Sequence, residues 1–303
     1  GKTALSIELA KRYGGEIISA DSMQIYRQMN IATAKPSVEE RQGIPHYLMD
    51  CLDCGEAFSV ADFVREARKQ IEEISSRGSL PIVVGGTGLY ISSLADNISF
   101  TDMISDNSLR TRLLNRLKEE GGQVLLEELR SFDPELADTL HPNNGNRIVR
   151  AIEVYQLTGI TMSEHQRRSR LRPSPYCLCM LGLTCSDRGQ LYRRINQRVD
   201  RMLEQGLLEE ARSILALGPL KTSYQAIGYK ELSPYFQGSC SLEQAVEKIK
   251  QESRRYAKRQ LTWFRRDSRI HWIEVDQHPL LEQCLIAEQW IAQELRINVK
   301  NKG

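Results

Sequence analysis

Two short glycine-containing segments and one aspartate have the residue types of a phosphate-binding site. Gly1-Lys2-Thr3 matches the last three residues of the phosphate-binding loop G-x-x-x-x-G-K-[ST]. Gly85-Gly86-Thr87-Gly88 follows an apolar run, and its backbone N–H groups and Thr87 hydroxyl could donate to an anion. Asp21 also follows an apolar run directly. Asp21 could instead be an ordinary capping or turn residue, and Gly85-Gly86-Thr87-Gly88 could be an ordinary tight turn. If both segments lie at one edge of a sheet with Lys2 and Thr3, however, they suit the binding of a pyrophosphate.

A pair of arginines has the spacing of a diphosphate clamp. Arg194 and Arg198 are four residues apart, so they would lie on one face of a helix. Two surface salt bridges would explain the same spacing.

A strongly basic segment lies between residues 248 and 269. It holds two acidic residues against nine basic ones: Lys248, Lys250, Arg254, Arg255, Lys258, Arg259, Arg265, Arg266 and Arg269. Tyr256, Trp263 and Phe264 are interleaved with them. Solvated helix faces usually mix both signs, so this imbalance favours contact with a nucleic acid. A second basic run, residues 167–172, would extend that surface.

The elements that must position these residues follow an α/β pattern. Residues 4–13 and 59–76 are predicted helices, the first ended by Gly14-Gly15 and the second opened by a Ser59-x-x-Asp62 capping box. Residues 16–20 and 80–84 are predicted buried strands. Short apolar strands alternating with helices predict a parallel sheet with flanking helices, and ligands bind such sheets beyond the carboxyl ends of the strands.

The middle of the chain differs in character. Residues 101–172 contain no convincing strand, and their leucine spacing predicts a mainly helical insertion. Residues 176–184 resemble a strand that returns to the sheet, and the remainder is predicted to be mainly helical. The expected organisation is a core of residues 1–100 and 173–303, interrupted by an insertion of residues 101–172.

Composition limits the classes of protein. The 303 residues are 41% hydrophobic and carry a formal net charge of +2, and no apolar run approaches the roughly 18 residues of a membrane helix. Seven irregularly spaced cysteines argue against a disulfide framework and for a reducing compartment, hence a cytoplasmic location. Cys51 and Cys54 lack a second ligand pair for zinc. The five histidines show no paired spacing, and no feature indicates an obligate protein partner.

Several segments, taken in their order along the chain, resemble those of one family, the bacterial-type tRNA dimethylallyltransferases, also called tRNA isopentenyltransferases. The resemblance spans nearly the whole chain and rests on GKTALSIELA, IISADSMQIYRQMNIATAKP, IPHYLMD, FSVADF, PIVVGGTGLYISSL, HPNNGNRIVRAIEV, QAIGYKEL and KRQLTWFRR. It implies a P-loop NTPase-like core. It also implies a complete phosphate loop and a first strand before Gly1, so the chain is expected to be an N-terminal truncation.

The resemblance also implies a reaction and a set of roles. The N6 amine of an adenine would attack C1 of dimethylallyl diphosphate and displace diphosphate, with Asp21 accepting the proton. Thr87 would be the second catalytic residue, stabilising the charge on the departing group, and the diphosphate would be bound by Gly1, Lys2, Thr3, Arg194 and Arg198. Mg²⁺ would be the cofactor, with Thr3 as its ligand.

The second substrate implied is the anticodon stem-loop of tRNA, whose target base must be turned outward. The implied tRNA contacts are Asp21, Ser22, Met23, Gln24, Arg110, Asn146, Arg147, Arg150, Gln225, Gly228, Tyr229, Lys230, Lys258, Arg259, Gln260, Trp263 and Arg265.

Three alternatives stay open at this point. An adenylate isopentenyltransferase would share the core but would not need the insertion or KRQLTWFRR. A phosphate-loop kinase would need a second strand ending in an aspartate, and outside Asp21 none is clear. A non-catalytic RNA-binding protein would keep the basic segments but have no need of Asp21 beside a glycine-threonine turn.

Overall fold

The strands form two parallel sheets in a computed structural model that describes residues 1–98, 100, 106–169, 173–218, 220 and 222–297. The strands are β1 Gly15–Ser19, β2 His46–Tyr47, β3 Leu80–Val84, β4 Met180–Thr184 and β5 Ile270–Glu274. One sheet has the order β2-β1-β3, and β4 pairs with β5 in the other. The expected α/β class with parallel strands is confirmed. The strand predicted within residues 176–184 is present as β4, but it pairs with β5 in the second sheet and does not return to the first.

The chain divides into two compact units, one formed by Gly1–Ala95 with Tyr176–Gly303 and the other by Asp96–Pro175. In the larger unit the helices are α1 Lys2–Tyr13, α2 Val38–Arg41, α3 Val60–Ser76, α4 Gly88–Ala95, α10 Arg188–Glu204, α11 Leu207–Ala216, α12 Tyr229–Phe236, α13 Leu242–Phe264 and α14 Leu280–Leu295. In the smaller unit they are α5 Asn107–Glu120, α6 Gly122–Phe132, α7 Pro134–Ala137, α8 Gly145–Thr158 and α9 Met162–Ser169. Arg170 and Arg172 of the second basic run lie outside the described residues.

Local sequence signals explain where the first elements begin and end. Gly14 takes a left-handed conformation, with φ 62°, and its N–H caps α1 by donating to the carbonyl of Ala10. The capping box predicted for α3 is present: Ser59 Oγ accepts from the N–H of Asp62, and the Asp62 side chain accepts from the N–H of Ser59. These caps fix the residue at which α1 ends and the residue at which α3 begins.

The core of the larger unit surrounds β1. Ile17 and Ile18 are almost completely buried, and α1 packs Leu5, Leu9 and Tyr13 into a cluster with residues of α14. Burial on this scale contributes about 1.5–3 kcal/mol for each large apolar side chain. The strand order then brings the ends of β1 and β3 together, because Ser19 pairs with Val84 in parallel register.

The smaller unit has an interior of its own. Leucine and isoleucine side chains of its helices form one cluster, including Leu125, Leu129, Ile148 and Ile152, each fully buried. Among its described residues there is no strand, as its leucine spacing led us to expect.

Two strands escaped the sequence analysis. β2 has only two residues, and β5, with sequence IHWIE, lies in a segment predicted to be mainly helical. Within the described part of the chain, no helix is both long and apolar enough to span a bilayer.

Candidate active site

Three segments of the larger unit meet at the carboxyl edge of the sheet: the start of α1, the end of β1 and the glycine turn after β3. The N–H of Ala20 donates to the carbonyl of Val84 at 2.8 Å, and the N–H of Thr87 donates to the carbonyl of Ala20 at 3.3 Å. Lys2 approaches the same turn, because a Cβ placed on Gly86 would lie 2.9 Å from Lys2 Nζ. The two glycine-containing segments noted in the sequence are therefore neighbours.

The glycines of this turn are required by close packing. A Cβ on Gly85 would lie 2.1 Å from the carbonyl oxygen of Ala20, and a Cβ on Gly88 would lie 2.4 Å from Cδ1 of Trp263. Such distances are well inside van der Waals contact, so any other residue would force the backbone or the tryptophan to move. The turn is thus fitted closely to both the β1 loop and α13.

Thr87 and Asp21 are fixed by hydrogen bonds to the loop that follows β1. The N–H of Ser22 donates to Thr87 Oγ1 at 3.0 Å, and Thr87 Oγ1 also lies 3.3 Å from Ser22 Oγ. Asp21 Oδ1 accepts from the N–H of Met23 at 3.0 Å. Asp21 therefore has the turn role considered as its structural alternative, while its half-exposed carboxylate keeps a second oxygen available.

Cationic side chains surround this carboxylate. Crowding by protein atoms is the main cause that lowers the pKa of Lys2; Asp21 opposes this shift and Arg198 adds to it. The pKa of Arg198 is lowered for the same main reason, again opposed by Asp21. Arg194 lies near Gly1 at the start of α1. Neither Lys2 nor these arginines has an ion-pair partner among the described residues, so their charge is available to an anion.

A small cavity of about 50 Å³ opens between these groups, and its lining includes Lys2, Thr3, Asp21, Gln24 and Gly85. Mg²⁺ prefers oxygen ligands and usually keeps substrate phosphates and water in its shell. A threonine hydroxyl and a carboxylate on one cavity fit that preference, so the residues suit the expected cofactor. No group of three or more acidic, histidine or cysteine side chains in the described residues could hold a metal without substrate oxygens.

A larger, mostly apolar cavity of about 520 Å³ adjoins the small one. The two cavities share His46 and Met49 as lining residues. Its apolar lining includes Ile25, Leu48 and Phe58. Space for a hydrocarbon group therefore exists beside the phosphate-binding elements.

One face of α13 is directed at the glycine turn. Gln260 Nε2 donates to the carbonyl of Gly86 at 2.8 Å, and Trp263 Nε1 donates to Ser92 Oγ at 3.0 Å while its ring covers Gly88. Both residues were expected to contact tRNA. These partners hold both side chains against the turn, and their contact with tRNA stays a prediction.

The exposed side chains of the end of α13 and of the residues just after it carry the available charge. Five of the nine basic residues in the segment pair with acidic side chains: Lys248 and Arg255 with Glu252, Lys250 with Asp200, Arg254 with Glu247, and Arg269 with Asp267. The remaining four, Lys258, Arg259, Arg265 and Arg266, are exposed and have no acidic partner in the described chain. Sequence counting overstated the free charge because Asp200 and Glu247 lie outside the segment.

The loop after β1 is fixed from α11 by a single carboxylate. Glu210 accepts from the N–H groups of Asn30 and Ile31 at 2.8 Å and of Ala32 at 3.0 Å. Its Oε1 also accepts from the hydroxyl of Tyr229 at 2.8 Å. Tyr229 is fully buried, so the side chain expected to contact tRNA is a structural one.

The neighbours of Tyr229 differ in exposure. Gly228 is buried, Lys230 is half-buried and Gln225 is exposed. Gln24 is also engaged within the protein, because its amide accepts from Ser19 Oγ at 3.1 Å and donates to the carbonyl of Thr33 at 3.2 Å. Of the expected contacts in these loops, Gln225 and Lys230 remain open to a ligand.

In the smaller unit, the expected RNA-binding residues lie on α5 and α8. Asn146 and Arg147 are exposed. Arg110 and Arg150 both approach the completely buried Glu153, at 3.6 Å and 2.9 Å. This carboxylate orients the two guanidinium groups. The second basic run is partly neutralised, because Arg167 and Arg168 both pair with Glu164.

Two residues of the site were missed in the sequence, Glu210 and Tyr256. The Tyr256 phenol lies near Thr87 and Gln260, and both side chains oppose the rise in its pKa that burial causes. Its signal was available: Tyr256, Gln260 and Trp263 are spaced i, i+4, i+7, which puts them on one helical face. Glu210 gave no such signal, because its partners are backbone groups distant in sequence.

An α/β core with a Gly-Lys-Thr helix start, a glycine-threonine turn and a carboxylate at one sheet edge is typical of P-loop-like enzymes. Comparison with known proteins makes the family specific. The model of the family described as IPP transferase matches residues 24–267. The tRNA dimethylallyltransferase of Acetivibrio thermocellus is 50% identical over 279 residues, covering 91% of this chain and 89% of that protein.

Solved structures agree with the sequence relatives. The tRNA isopentenylpyrophosphate transferase of Bacillus halodurans superposes with a TM-score of 0.70 at 42% identity, covering 98% of this chain and 94% of the other. A eukaryotic dimethylallyltransferase acting on tRNA gives a TM-score of 0.79 at 30% identity, covering 100% and 78%. The chain belongs to the tRNA dimethylallyltransferase family, and the resemblance seen in the sequence is confirmed.

Proposed function

We propose that this chain transfers the dimethylallyl group from dimethylallyl diphosphate to N6 of the adenosine on the 3′ side of the anticodon, in tRNAs that read codons beginning with U. The products are N6-(dimethylallyl)adenosine and diphosphate. The observation that carries the proposal is the convergence of Asp21, Lys2, Arg198 and Thr87 at one edge of the sheet, in a member of this enzyme family.

The chemical step requires a base at the amine. The N6 lone pair of adenine is delocalised into the ring, so the amine is a weak nucleophile. As the N6–C1 bond forms and the C1–O bond breaks, Asp21 accepts the N6 proton and the diphosphate leaves with the bonding electrons. The carboxylate oxygen that does not accept from Met23 is free for this proton.

Charge that develops on the leaving diphosphate is stabilised by the surrounding donors. Lys2 and Arg198 supply positive charge, and Thr87 supplies a hydroxyl donor beside the start of α1, whose N-terminus carries a partial positive charge. Gly1 and Arg194 extend this surface. Mg²⁺ would be held by Thr3 with oxygens of the diphosphate, and would supply Lewis-acid stabilisation of the same charge.

The hydrocarbon part of the donor needs apolar surroundings. The adjoining cavity offers Ile25, Leu48, Met49 and Phe58 next to the diphosphate elements. Met49→Trp should fill the shared wall and raise the KM for dimethylallyl diphosphate while leaving the KM for the stem-loop unchanged. An equal rise in both values would contradict this assignment.

The tRNA would be bound by exposed cations and amides of both units. We assign this role to Lys258, Arg259 and Arg265 of α13, to Gln225 and Lys230, and to Arg110, Asn146, Arg147 and Arg150 of the insertion, with Ser22 and Met23 beside the target base. Single-stranded loops are recognised by stacking and by hydrogen bonds to base edges, which suits this mixture of side chains. The reaction would take place in the cytoplasm, where its tRNA substrate is found.

A direct test offers the protein two acceptors. It is incubated with Mg²⁺, dimethylallyl diphosphate and either an unmodified anticodon stem-loop or AMP, and mass spectrometry detects an added C5H8 unit. Gain on the stem-loop alone supports the proposal. Gain on AMP alone would make the chain a free-nucleotide prenyltransferase, and omission of Mg²⁺ tests the cofactor.

A further inference from the structure

A completely buried carboxylate in the smaller unit holds two of the arginines assigned to RNA. Glu153 lies on α8, and its Oε1 accepts from the backbone N–H of Asp106, the residue that caps α5, at 3.2 Å. Its Oε2 lies 2.9 Å from Nη1 of Arg150 and 3.6 Å from Nη1 of Arg110. One oxygen therefore fixes the start of α5, and the other is shared by two cations.

Both guanidinium groups extend from this buried oxygen to the surface. The side chain of Arg110 is 41% exposed and that of Arg150 is 23% exposed, whereas Glu153 has no exposed surface. Two like charges that would otherwise repel each other are thus held side by side. A guanidinium carries several N–H donors in a planar fork, more than one carboxylate oxygen can accept. The pair can therefore also donate to an anion that arrives from solvent.

The chemistry of this pair matches a phosphate. Guanidinium forks bind phosphate oxygens with two parallel hydrogen bonds, which a single ammonium group cannot do. Asn146 and Arg147 are exposed, and they precede Arg150 by four and three positions, so the three share one face of α8. A buried ion pair is weak evidence for stability, because apolar residues of similar volume often replace it without loss. The arrangement is therefore better explained by the position that it gives the arginines.

We infer that Glu153 is a positioning residue, which holds Arg110 and Arg150 so that both guanidinium groups bind one backbone phosphate of the RNA. The inference rests on the proposed function, since it explains how two of the assigned RNA contacts act together. It predicts the opposite sign from simple charge counting. Loss of a carboxylate beside an RNA-binding surface should by charge alone strengthen binding, whereas loss of Glu153 should weaken it.

The test compares Glu153→Gln with Glu128→Gln in the full chain. Glu128 pairs with Arg116 at 2.8 Å in the same unit, so each substitution removes one negative charge from an ion pair. Stem-loop binding is titrated at several salt concentrations. Glu153→Gln should weaken binding and reduce the slope of log K against log[salt] by about 0.7–0.9, the value for one lost phosphate. It should also raise the KM for the stem-loop while kcat is unchanged. Glu128→Gln should keep the wild-type slope.

A second variant covers the case in which Glu153→Gln unfolds the smaller unit, seen as a loss of helical circular dichroism. Glu153→Asp keeps the charge but withdraws the carboxylate from the arginines by about 1.5 Å, the length of one C–C bond. It should reduce the slope in the same way. The double variant Arg110→Gln with Arg150→Gln should reduce the slope by the value for one phosphate, because the two arginines share it.

Each measurement has an outcome that would overturn the inference. A wild-type slope in folded Glu153→Gln or Glu153→Asp would remove the positioning role. A double arginine variant that loses twice the value for one phosphate would show two separate contacts. If the wild-type protein binds the stem-loop but transfers nothing to it, the proposed function fails while the comparison of slopes still decides the role of Glu153. If it does not bind the stem-loop, both fail.

Discussion

The backbone N–H of Ser22 donates to the hydroxyl of Thr87 across 3.0 Å, although the two residues are 65 positions apart. This bond joins the loop after β1 to the turn after β3. Asp21, whose carboxylate is proposed to accept the N6 proton, directly precedes Ser22. Ser22 in turn holds the Thr87 hydroxyl, which is proposed to contact the leaving diphosphate. One hydrogen bond therefore fixes the position of the Thr87 hydroxyl relative to the Asp21 carboxylate.

Asp21→Asn should abolish transfer and leave stem-loop affinity within a few fold. An amide cannot accept the N6 proton, and a positioned base typically contributes 10²- to 10⁴-fold in rate. Single-turnover rates and a filter-binding titration measure the two quantities. Asp53→Asn, at an exposed ion pair with Arg27, is the control and should remain active. Normal turnover with a large loss of affinity would overturn the assignment of the base.

Gly85→Ala should destabilise the fold and lower activity. Its Cβ would meet the carbonyl oxygen of Ala20 at 2.1 Å, and neither backbone can shift without breaking the β1–β3 pairing. Overpacking of this kind costs about 1–3 kcal/mol, read as the change in the free energy of unfolding in urea. Gly55→Ala is the matched control, because a Cβ there meets nothing within 4 Å. Equal stability of the two variants would contradict the packing argument.

Charge reversal at Arg259 and Arg265 should weaken stem-loop binding and flatten its dependence on salt. Each lost phosphate contact removes a little under one unit from the slope of log K against log[salt]. Titrations at several salt concentrations give the slope. The control is the double variant Lys69→Glu with Arg130→Glu, which changes the net charge equally at exposed positions elsewhere and should keep the wild-type slope. An unchanged slope in the first pair would exclude this part of α13 from the interface.

Glu210→Gln should loosen the loop after β1. The amide nitrogen would face backbone donors of Asn30, Ile31 and Ala32, and the loss of their hydrogen bonds to a charged carboxylate costs about 1.5–3 kcal/mol. Hydrogen exchange of these three amides should become faster. Glu209→Gln, the exposed neighbour, should leave exchange unchanged. Protection equal to wild type in Glu210→Gln would show that another contact holds the loop.

Local sequence signals predicted the helices and strands of the first 100 residues well. Elements that depend on packing between distant parts of the chain could not be predicted. The capping box gave the start of α3 correctly, and residues 80–84 form β3 as predicted, since both depend on nearby residues. β5 was missed because a five-residue strand between helical segments acquires its identity from pairing with β4. Element type could be inferred locally, whereas partners distant in sequence could not.

The site shows the same division. Thr87 and Asp21 were found because residue type and position after a strand indicate a ligand-binding edge. The contacts of Gln260 and Trp263 were not foreseen, because polar and aromatic residues in a basic segment look alike whether they face RNA or the protein. The glycines of the turn could have indicated such contacts, because a residue without a Cβ often marks a place where another side chain approaches closely.

The two faces of α13 have a consequence for genetics. Variants at positions 258 and 265 should lose function through weaker binding of RNA, and extra tRNA or lower salt should restore it. Variants at 256, 260 and 263 should disturb the turn and resist such rescue. A suppressor screen by tRNA overexpression would therefore sort alleles of one helix into two groups with helical periodicity.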